Sequence, residues 1–378
     1  MKDFPLVTIS IINYNDKKFI LKAIGSAVNQ DYPNLEIIIS DNNSTDGTRE
    51  EIGSRIAGWE DERKNISRKF SDRPFGSEIK YIKNTENSGF GRPHNEAMRM
   101  GKGDFILLLN SDAIILPDYV SNVLDSFADK KVGAVQGKLL RYNFDKNELT
   151  KSKESPELNV IDTTGLLIYK NRRIVCVGQG EADRGQFEEP REIFGVDGAV
   201  PIYRMEALED VKIPILERAK KLQDATCKPA YEYFDEDFFM YKEDVDLAWR
   251  MRLAGWKAVY DPKAVAYHGR GSGDSMAKNY LDIIKERRKI NNRAKFLSFK
   301  HQRLMQIKDD FPALLFTKHF PKFIIKEAGA WLYMAIFERF TVRVLADLYR
   351  DAPRFLTKRK LAMKKRRIGA KEMEKWFM

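Results

Sequence analysis

The sequence has only two cysteines among 378 residues, Cys176 and Cys227. Two thiols make neither a disulfide framework nor a zinc-binding spacing, so a reducing compartment is the natural setting. Long apolar runs are absent as well. The most hydrophobic stretch, Ala328-Gly-Ala-Trp-Leu-Tyr-Met-Ala-Ile-Phe337, is bracketed by Lys326-Glu327 and Glu338-Arg339, well short of the ~20 residues a spanning helix needs. Met1-Lys-Asp-Phe-Pro5 runs straight into a strand-like segment with no apolar h-region, so no secretory signal is expected. Internal repeats and low-complexity tracts are missing, and no nucleic-acid module is recognisable, so nucleic acid is not an expected partner. What is there, 43% hydrophobic and 32% charged residues, suits one large soluble-type domain with an added part.

The net charge of +11 is unevenly placed. Residues 271–378 hold 26 Lys and Arg against 11 Asp and Glu, whereas the first 270 hold 40 against 44. A mildly acidic body over 1–272 is therefore expected to carry a basic helical extension over 273–378. Apolar helices flanked by clusters such as Lys364-Lys-Arg-Arg367 suit an anionic membrane surface. Packing on the body or on a second copy is the other reading. The expected location is cytoplasmic, peripheral on the inner face of the cell membrane.

Strand-like runs at Leu6–Ile12, Leu35–Ser40, Glu78–Lys83 and Asp104–Leu109 alternate with helical patterns at 17–28, after Asp46, and around Arg92–Met100. Such alternation predicts βαβ units on a parallel sheet, with ligands outside the carboxyl ends of the strands. Asn13–Asp16, Asp41–Asp46, Asn84–Gly91 and Asn110–Asp112 all fall at those ends. Residues 58–77 read as a surface insertion, and 130–230 as a less regular lobe of the same domain. Val245 to Ala254 reads as a short amphipathic helix closed by Gly255. Lys257–Tyr260 and Ala264–Tyr267 read as two short strands, the second delivering His268 to the rim.

Glu243, Asp244 and Asp246 crowd the start of that helix. They could simply be N-terminal acids favoured by the helix dipole, or one could be a general base held ionised there. Asp112 follows an apolar strand and could hold a divalent cation, Mg²⁺ or Mn²⁺, with diphosphate supplying further oxygens; a helix-capping turn is the alternative. His268 gains interest from its company with Asp112. Asn87-Ser-Gly-Phe-Gly91, with Gly89 and Gly91, could cradle phosphate or serve only as a turn. Asp41 could accept from a base N–H or a ribose hydroxyl, while Asp46 reads as a helix cap.

Taken together, Asn13-Tyr14-Asn, Asp41-Asn-Asn43-Ser-Thr-Asp-Gly-Thr, Asn87-x-Gly-Phe-Gly, Asn110-Ser111-Asp112, Gly198-Ala and Glu243-Asp-Val-Asp-Leu-Ala-Trp-Arg resemble the family 2 glycosyltransferases. The resemblance spans roughly residues 5–270 and looks closest to rhamnosyltransferase-like members. It implies an α/β GT-A fold, Rossmann-like, with the C-terminal helical basic extension added. It further implies inverting transfer of a sugar, with L-rhamnose from dTDP-rhamnose as the leading donor and UDP-GlcNAc or UDP-galactose as alternatives. The acceptor would be a glycan or a lipid-linked glycan. On this reading Asp244 is the base, oriented by Glu243. Asp41 contacts the nucleotide base, in a pocket walled by Asn13 and Tyr14. Asn43, Asn87, Gly89, Gly91 and Ser111 belong to the donor site, and Asp112 with His268 holds the metal. Gly198-Ala199 floors the acceptor site near Arg204. One departure stands out: the family's Asp-x-Asp is here Asn110-x-Asp112, which implies weaker or more diphosphate-dependent metal binding. A rival of another class is a catalytically silent, membrane-bound scaffold.

Overall fold

The computed structural model describes residues 4–70, 78–216, 230–269 and 280–378; Cys227 and the tail of the expected insertion lie outside them. Strands β1 (Val7–Asn13), β2 (Leu35–Asp41), β3 (Ile79–Lys83) and β4 (Phe105–Asn110) form a parallel half-sheet in the order β3-β2-β1-β4. Helices α1 (Ile20–Val28), α2 (Thr48–Arg68) and α3 (Gly91–Met100) connect them. Both faces are covered, so β1, β2 and β4 read as near-continuous apolar runs instead of alternating. Val7, Ile9 and Ile11 pack with Ile20, Ile24 and Ala27 of α1 in the largest apolar layer.

Residues 58–68, expected as insertion, instead continue α2. Trp59 and Arg63 are buried, and the Arg63 guanidinium donates to the carbonyls of Val28 (3.0 Å), Gln30 (2.7 Å) and Tyr32. A cation is thus spent on the carbonyls at the end of α1, where the helix dipole favours one.

The second half of the sheet is mixed. After β5 (Ala113–Ile115) and α4 (Tyr119–Asp125), the long β6 (Val132–Asn143) carries the short antiparallel strands β7 (Glu148–Leu149) and β8 (Ile161–Thr163). A hairpin, β9 (Leu166–Ile168) with β10 (Ile174–Cys176), and β11 (Arg191–Ile193) follow. Strand β12 (Pro201–Arg204) runs antiparallel between β4 and β6. Beyond α5 (Met205–Val211), β13 (Ile213–Pro214) pairs with β14 (Tyr231–Glu232). Helix α6 (Glu243–Leu253) leads into β15 (Lys257–His268), which is parallel to β6 and antiparallel to β5. The two short strands expected here are therefore one, interrupted by an irregularity between Asp261 and Val265.

Five helices complete the described chain: α7 (Tyr280–Lys289), α8 (Asn292–Asp309), α9 (Phe320–Phe337), α10 (Val344–Lys364) and α11 (Ala370–Glu374). Leu304, Met305, Phe355 and Phe377 share one apolar cluster with Val245, Trp249 and Leu253 of α6. The basic extension is thus packed onto the body. For the same reason α6 is not amphipathic: every residue in it except Asp244 is buried. No helix among the described residues is long and apolar enough to cross a membrane.

Candidate active site

The carboxyl ends of β1 and β4, the Asn87–Phe90 loop, the end of β15 and the start of α6 surround a cavity of about 470 Å³. Tyr14, Asn87, Gly89, Ser111, Asp112, Glu243, Asp244 and His268 line it together. The same rim holds Asp16, which accepts from Ser111; burial, then repulsion from Asp112 and Asp46, raises its carboxyl above the usual range.

Pairing between β15 and β5 sets His268 opposite Ala113, beside Asp112. Its Nε2 lies 3.3 Å from Asp112 and its Nδ1 donates to Asp162 at 2.8 Å. Burial works against the imidazolium, but the carboxylates on its two nitrogens outweigh that and push it up to about 10. An imidazole fixed by a carboxylate at one nitrogen, with the other facing a second carboxylate, is a common support for a metal-ligating histidine. A divalent cation that draws its remaining oxygens from a diphosphate would bind Asp112 and His268 by displacing the proton their ion pair holds. Among the described residues no cluster of three or more His, Cys, Asp or Glu forms a complete protein cage.

Across the cavity, Tyr241 and Lys242 enter α6 with φ of 72° and 79°. Two successive non-glycine residues in the left-handed region are strained, a feature that clusters at functional sites. His301 of α8 supports this turn, its Nδ1 facing the carbonyls of Met240 (2.9 Å) and Tyr241 (3.1 Å). The turn delivers Asp244, which accepts from the amides of Val245 (2.8 Å) and Gly198. Burial and the facing Asp197 push its carboxyl up to about 6. Burial and Asp244 hold Glu243 well above the carboxylate range, and its Oε2 has no hydrogen-bond partner among the described residues. Dipole capping alone would predict lowered acids here, so burial and repulsion between carboxyls outweigh the helix N-terminus.

Not every expected residue faces the cavity. Asn13 and Asp41 are fully buried behind it. Asp41 accepts from Asn13 (2.8 Å), the Ser44 amide (3.0 Å) and Arg49 Nε (2.9 Å). Asn43 (φ 67°) lies outside the lining, and its neighbour Asn42 reaches it instead, donating to the Gly89 carbonyl at 2.9 Å. Gly91 packs on Phe234, and the amides of Gly89 and Phe90 are taken by Asn87 Oδ1 and the Phe239 carbonyl. The phosphate cradle read from this loop is thus a braced turn. Gly89 itself is obligatory: φ is 85°, and a Cβ there would meet the Phe239 oxygen at 2.0 Å. Gly198 and Ala199 line the cavity, whereas Arg204 is occupied with the Val132 and Phe127 carbonyls. The N-cap of α2 is Gly47, without a side-chain cap, and the expected cap Asp46 accepts from the Thr48 amide at 3.1 Å.

Sequence reasoning missed Asp197, Asp162 and Asp16. Asp197 stands immediately before Gly198-Ala199, which was the one available signal, whereas Asp162 sits in the three-residue strand Ile161-Asp-Thr163 with nothing in the local sequence to mark it. Both gain meaning only from partners distant in sequence.

A family model described as glycosyl transferase family 2 matches residues 8–212. The chain is 34% identical over 127 residues to chondroitin synthase of Escherichia coli, covering 34% of this chain and 16% of that one. It is 35% identical over 127 residues to the UDP-Glc:alpha-D-GlcNAc-diphosphoundecaprenol beta-1,3-glucosyltransferase WfaP of Escherichia coli, covering 34% and 43% respectively. The chain spans less than half the length of these curated relatives. Among solved structures, GalNAc-T7 with UDP, GalNAc and Mn²⁺ superposes with a TM-score of 0.50 at 11% identity, covering 85% of this chain and 59% of that one. That likeness concerns the fold, an α/β GT-A arrangement with a largely parallel central sheet. With more than half its length matched by the family model, the chain belongs to glycosyl transferase family 2.

Proposed function

We propose that this protein transfers a sugar from a nucleotide-diphosphate donor to an acceptor hydroxyl with inversion. The observation carrying this reading is that Asp244, with its carboxyl raised to about 6, faces Asp112 and His268 across one cavity. Ionised Asp244 takes the acceptor proton while the hydroxyl oxygen bonds to the anomeric carbon. The bond from that carbon to the diphosphate breaks as this happens, and the nucleoside diphosphate leaves. A base so placed is typically worth ~10²–10⁴ in rate. Glu243, whose carboxyl is raised by burial and by the neighbouring Asp244, would help to orient Asp244. Asp112 and His268 would hold Mg²⁺ or Mn²⁺, which when bound neutralises charge on the departing diphosphate. Tyr14 and Asn87 would wall the donor, with Asp41 and Asn13 stiffening the floor beneath the base.

The resemblance puts dTDP-rhamnose first as donor, and the UDP-Glc named for the WfaP relative sets UDP-sugars beside it. Hydrolysis across a donor panel, with and without Mg²⁺ or Mn²⁺, decides between them. Asp244→Asn should abolish transfer while leaving donor binding largely intact; lost donor binding with preserved turnover per bound donor would sink the base assignment.

An anionic membrane surface fits the outer side of the C-terminal helices. Ile325, Leu332 and Ile336 recur along one face of α9 at 66%, 62% and 53% exposure. Lys318, Lys322, Arg339 and Arg343 flank it. Such a face supports peripheral attachment on the cytoplasmic side of the membrane.

A further inference from the structure

A second cavity, of about 810 Å³, lies between the β9–β10 hairpin and helices α7, α8 and α9. It shares a wall with the active-site cavity: Ile174, Val175, Lys242 and Ser298 line both. Lys242 stands two residues before Asp244, so whatever fills the second cavity approaches the base directly.

The lining has two characters. Arg172, Arg173, Lys242, Arg287, Arg303 and Lys326 contribute positive charge, and no carboxylate side chain faces in. Four of these cations are tied down from behind. Asp310 holds Arg172 at 2.6 Å, Glu338 holds Arg287 at 2.6 Å, and Glu327 is shared between Arg303 and Lys326. Lys242 makes no ion pair among the described residues and sits nearest the active site. Apart from Asn171, Ser298 and Gln302, most of the remaining wall is apolar or aromatic, with Ile283 and Ile284 from α7, Phe299 from α8 and Met334 from α9. A sugar needs neither a cation-rich wall nor an aliphatic one. A ligand with a phosphate or diphosphate at one end and a hydrocarbon chain at the other uses both.

The exit route agrees. Gly329, Ala330 and Tyr333 of α9 line the cavity, and the exposed Ile325, Leu332 and Ile336 lie on the adjoining face of that helix. A hydrocarbon chain leaving over Gly329 passes from one apolar surface to the next. A Cβ added at Gly329 would meet nothing within 4 Å, so that position is open space in the cavity wall.

We infer that this cavity is the acceptor subsite, and that the acceptor is a polyprenyl-type phosphate or diphosphate bearing the sugar to be extended. The inference rests on the glycosyl-transfer reading and adds the acceptor's chemical class. Its anionic group lies against Lys242 and Lys326, its chain runs out along α9, and its sugar hydroxyl points to Asp244.

Calorimetric titration of the full chain with farnesyl diphosphate, farnesol and inorganic pyrophosphate tests it. Farnesyl diphosphate should bind at least tenfold tighter than either half. Gly329→Phe, which fills the cavity, should weaken that binding at least tenfold with melting temperature and donor hydrolysis unchanged. Tyr349→Ser, at an exposed position of α10 away from the cavity, should leave it intact. Equal binding of pyrophosphate means an anion site only, and equal binding of farnesol a greasy surface only; either overturns the inference. So does a Gly329→Phe protein that binds normally or shows no more loss than Tyr349→Ser. Donor hydrolysis without farnesyl diphosphate binding removes this inference and leaves the transferase reading standing. Farnesyl diphosphate binding with no donor turnover does the reverse.

Discussion

Val7, Ile9 and Ile11 of β1 sit in a dry apolar layer, whereas α6 carries Asp246, Arg250 and Arg252 into an equally closed interior. Both regions border the same cavity, yet they are held differently. Apolar burial is non-directional and accepts any neighbour of suitable volume. Buried charge needs particular partners in particular places, and around α6 the C-terminal helices supply them. Lys308 of α8 reaches Asp235 at 2.6 Å and also contacts Asp246. Lys358 of α10 reaches Glu232 (2.9 Å), Asp237 (2.8 Å) and Asp235. Arg250 closes on Asp246 at 2.9 Å. Burial alone would raise Asp235, but Lys308 and Lys358 hold it well below the carboxylate range. The basic tail is therefore partly internal, neutralising acids that lie behind α6.

The comparison breaks most visibly at Lys308. Lys308→Met should cost about 3–5 kcal/mol in urea denaturation, because it removes the buried cation that Asp235 and Asp246 share and leaves each with one cationic partner, Lys358 and Arg250. Adding Asp235→Asn should return part of that loss; a simple sum of the two single effects would mean the charges are not acting as a network.

A smaller effect contrasts two acids of the site. Burial would raise Asp41, but donors from Ser44, Asn13 and Arg49 outweigh it and keep the carboxyl lowered. Asp244 is pushed up to about 6. Since the base must be ionised, turnover should fall roughly tenfold per pH unit below that value and level off above it. Asp41 should add no limb to the profile in that range. A rate flat from pH 5 to 8 at saturating donor would remove Asp244 from the proton-transfer step.

The smallest change belongs to the apolar layer. Ile9→Val should lose only about 0.5–1.5 kcal/mol and leave the pH profile where it was. A loss as large as that of Lys308→Met would show that the two halves are not held as differently as their contacts imply.

The same contrast explains how much could be read before the fold was known. The parallel half-sheet was legible because each strand is a run of β-branched and aliphatic residues of the right length, punctuated by polar turns. The rim residues Tyr14, Asn87, Ser111 and Asp112 followed from those strand ends. Less legible was the orientation of side chains within the loops: Asn42 instead of Asn43 reaches the cavity, and the amides of Gly89 and Phe90 turn to protein partners. Helix α6 was placed correctly but its surroundings were not. Its charges suggested a wet face, and the partners that make them internal lie about 60 residues away in either direction, Lys308 for Asp246 and Glu192 for Arg252.

By itself, then, the sequence determined the alternating elements, the motif residues at the strand ends and the excess of positive charge after residue 270, because period and composition are local properties. Only the tertiary structure decided that Asp197 would face Asp244, that Asp162 would fix His268, and that a basic tail would bury lysines behind α6. Electrostatic pairing acts through space and leaves no period in the chain to read.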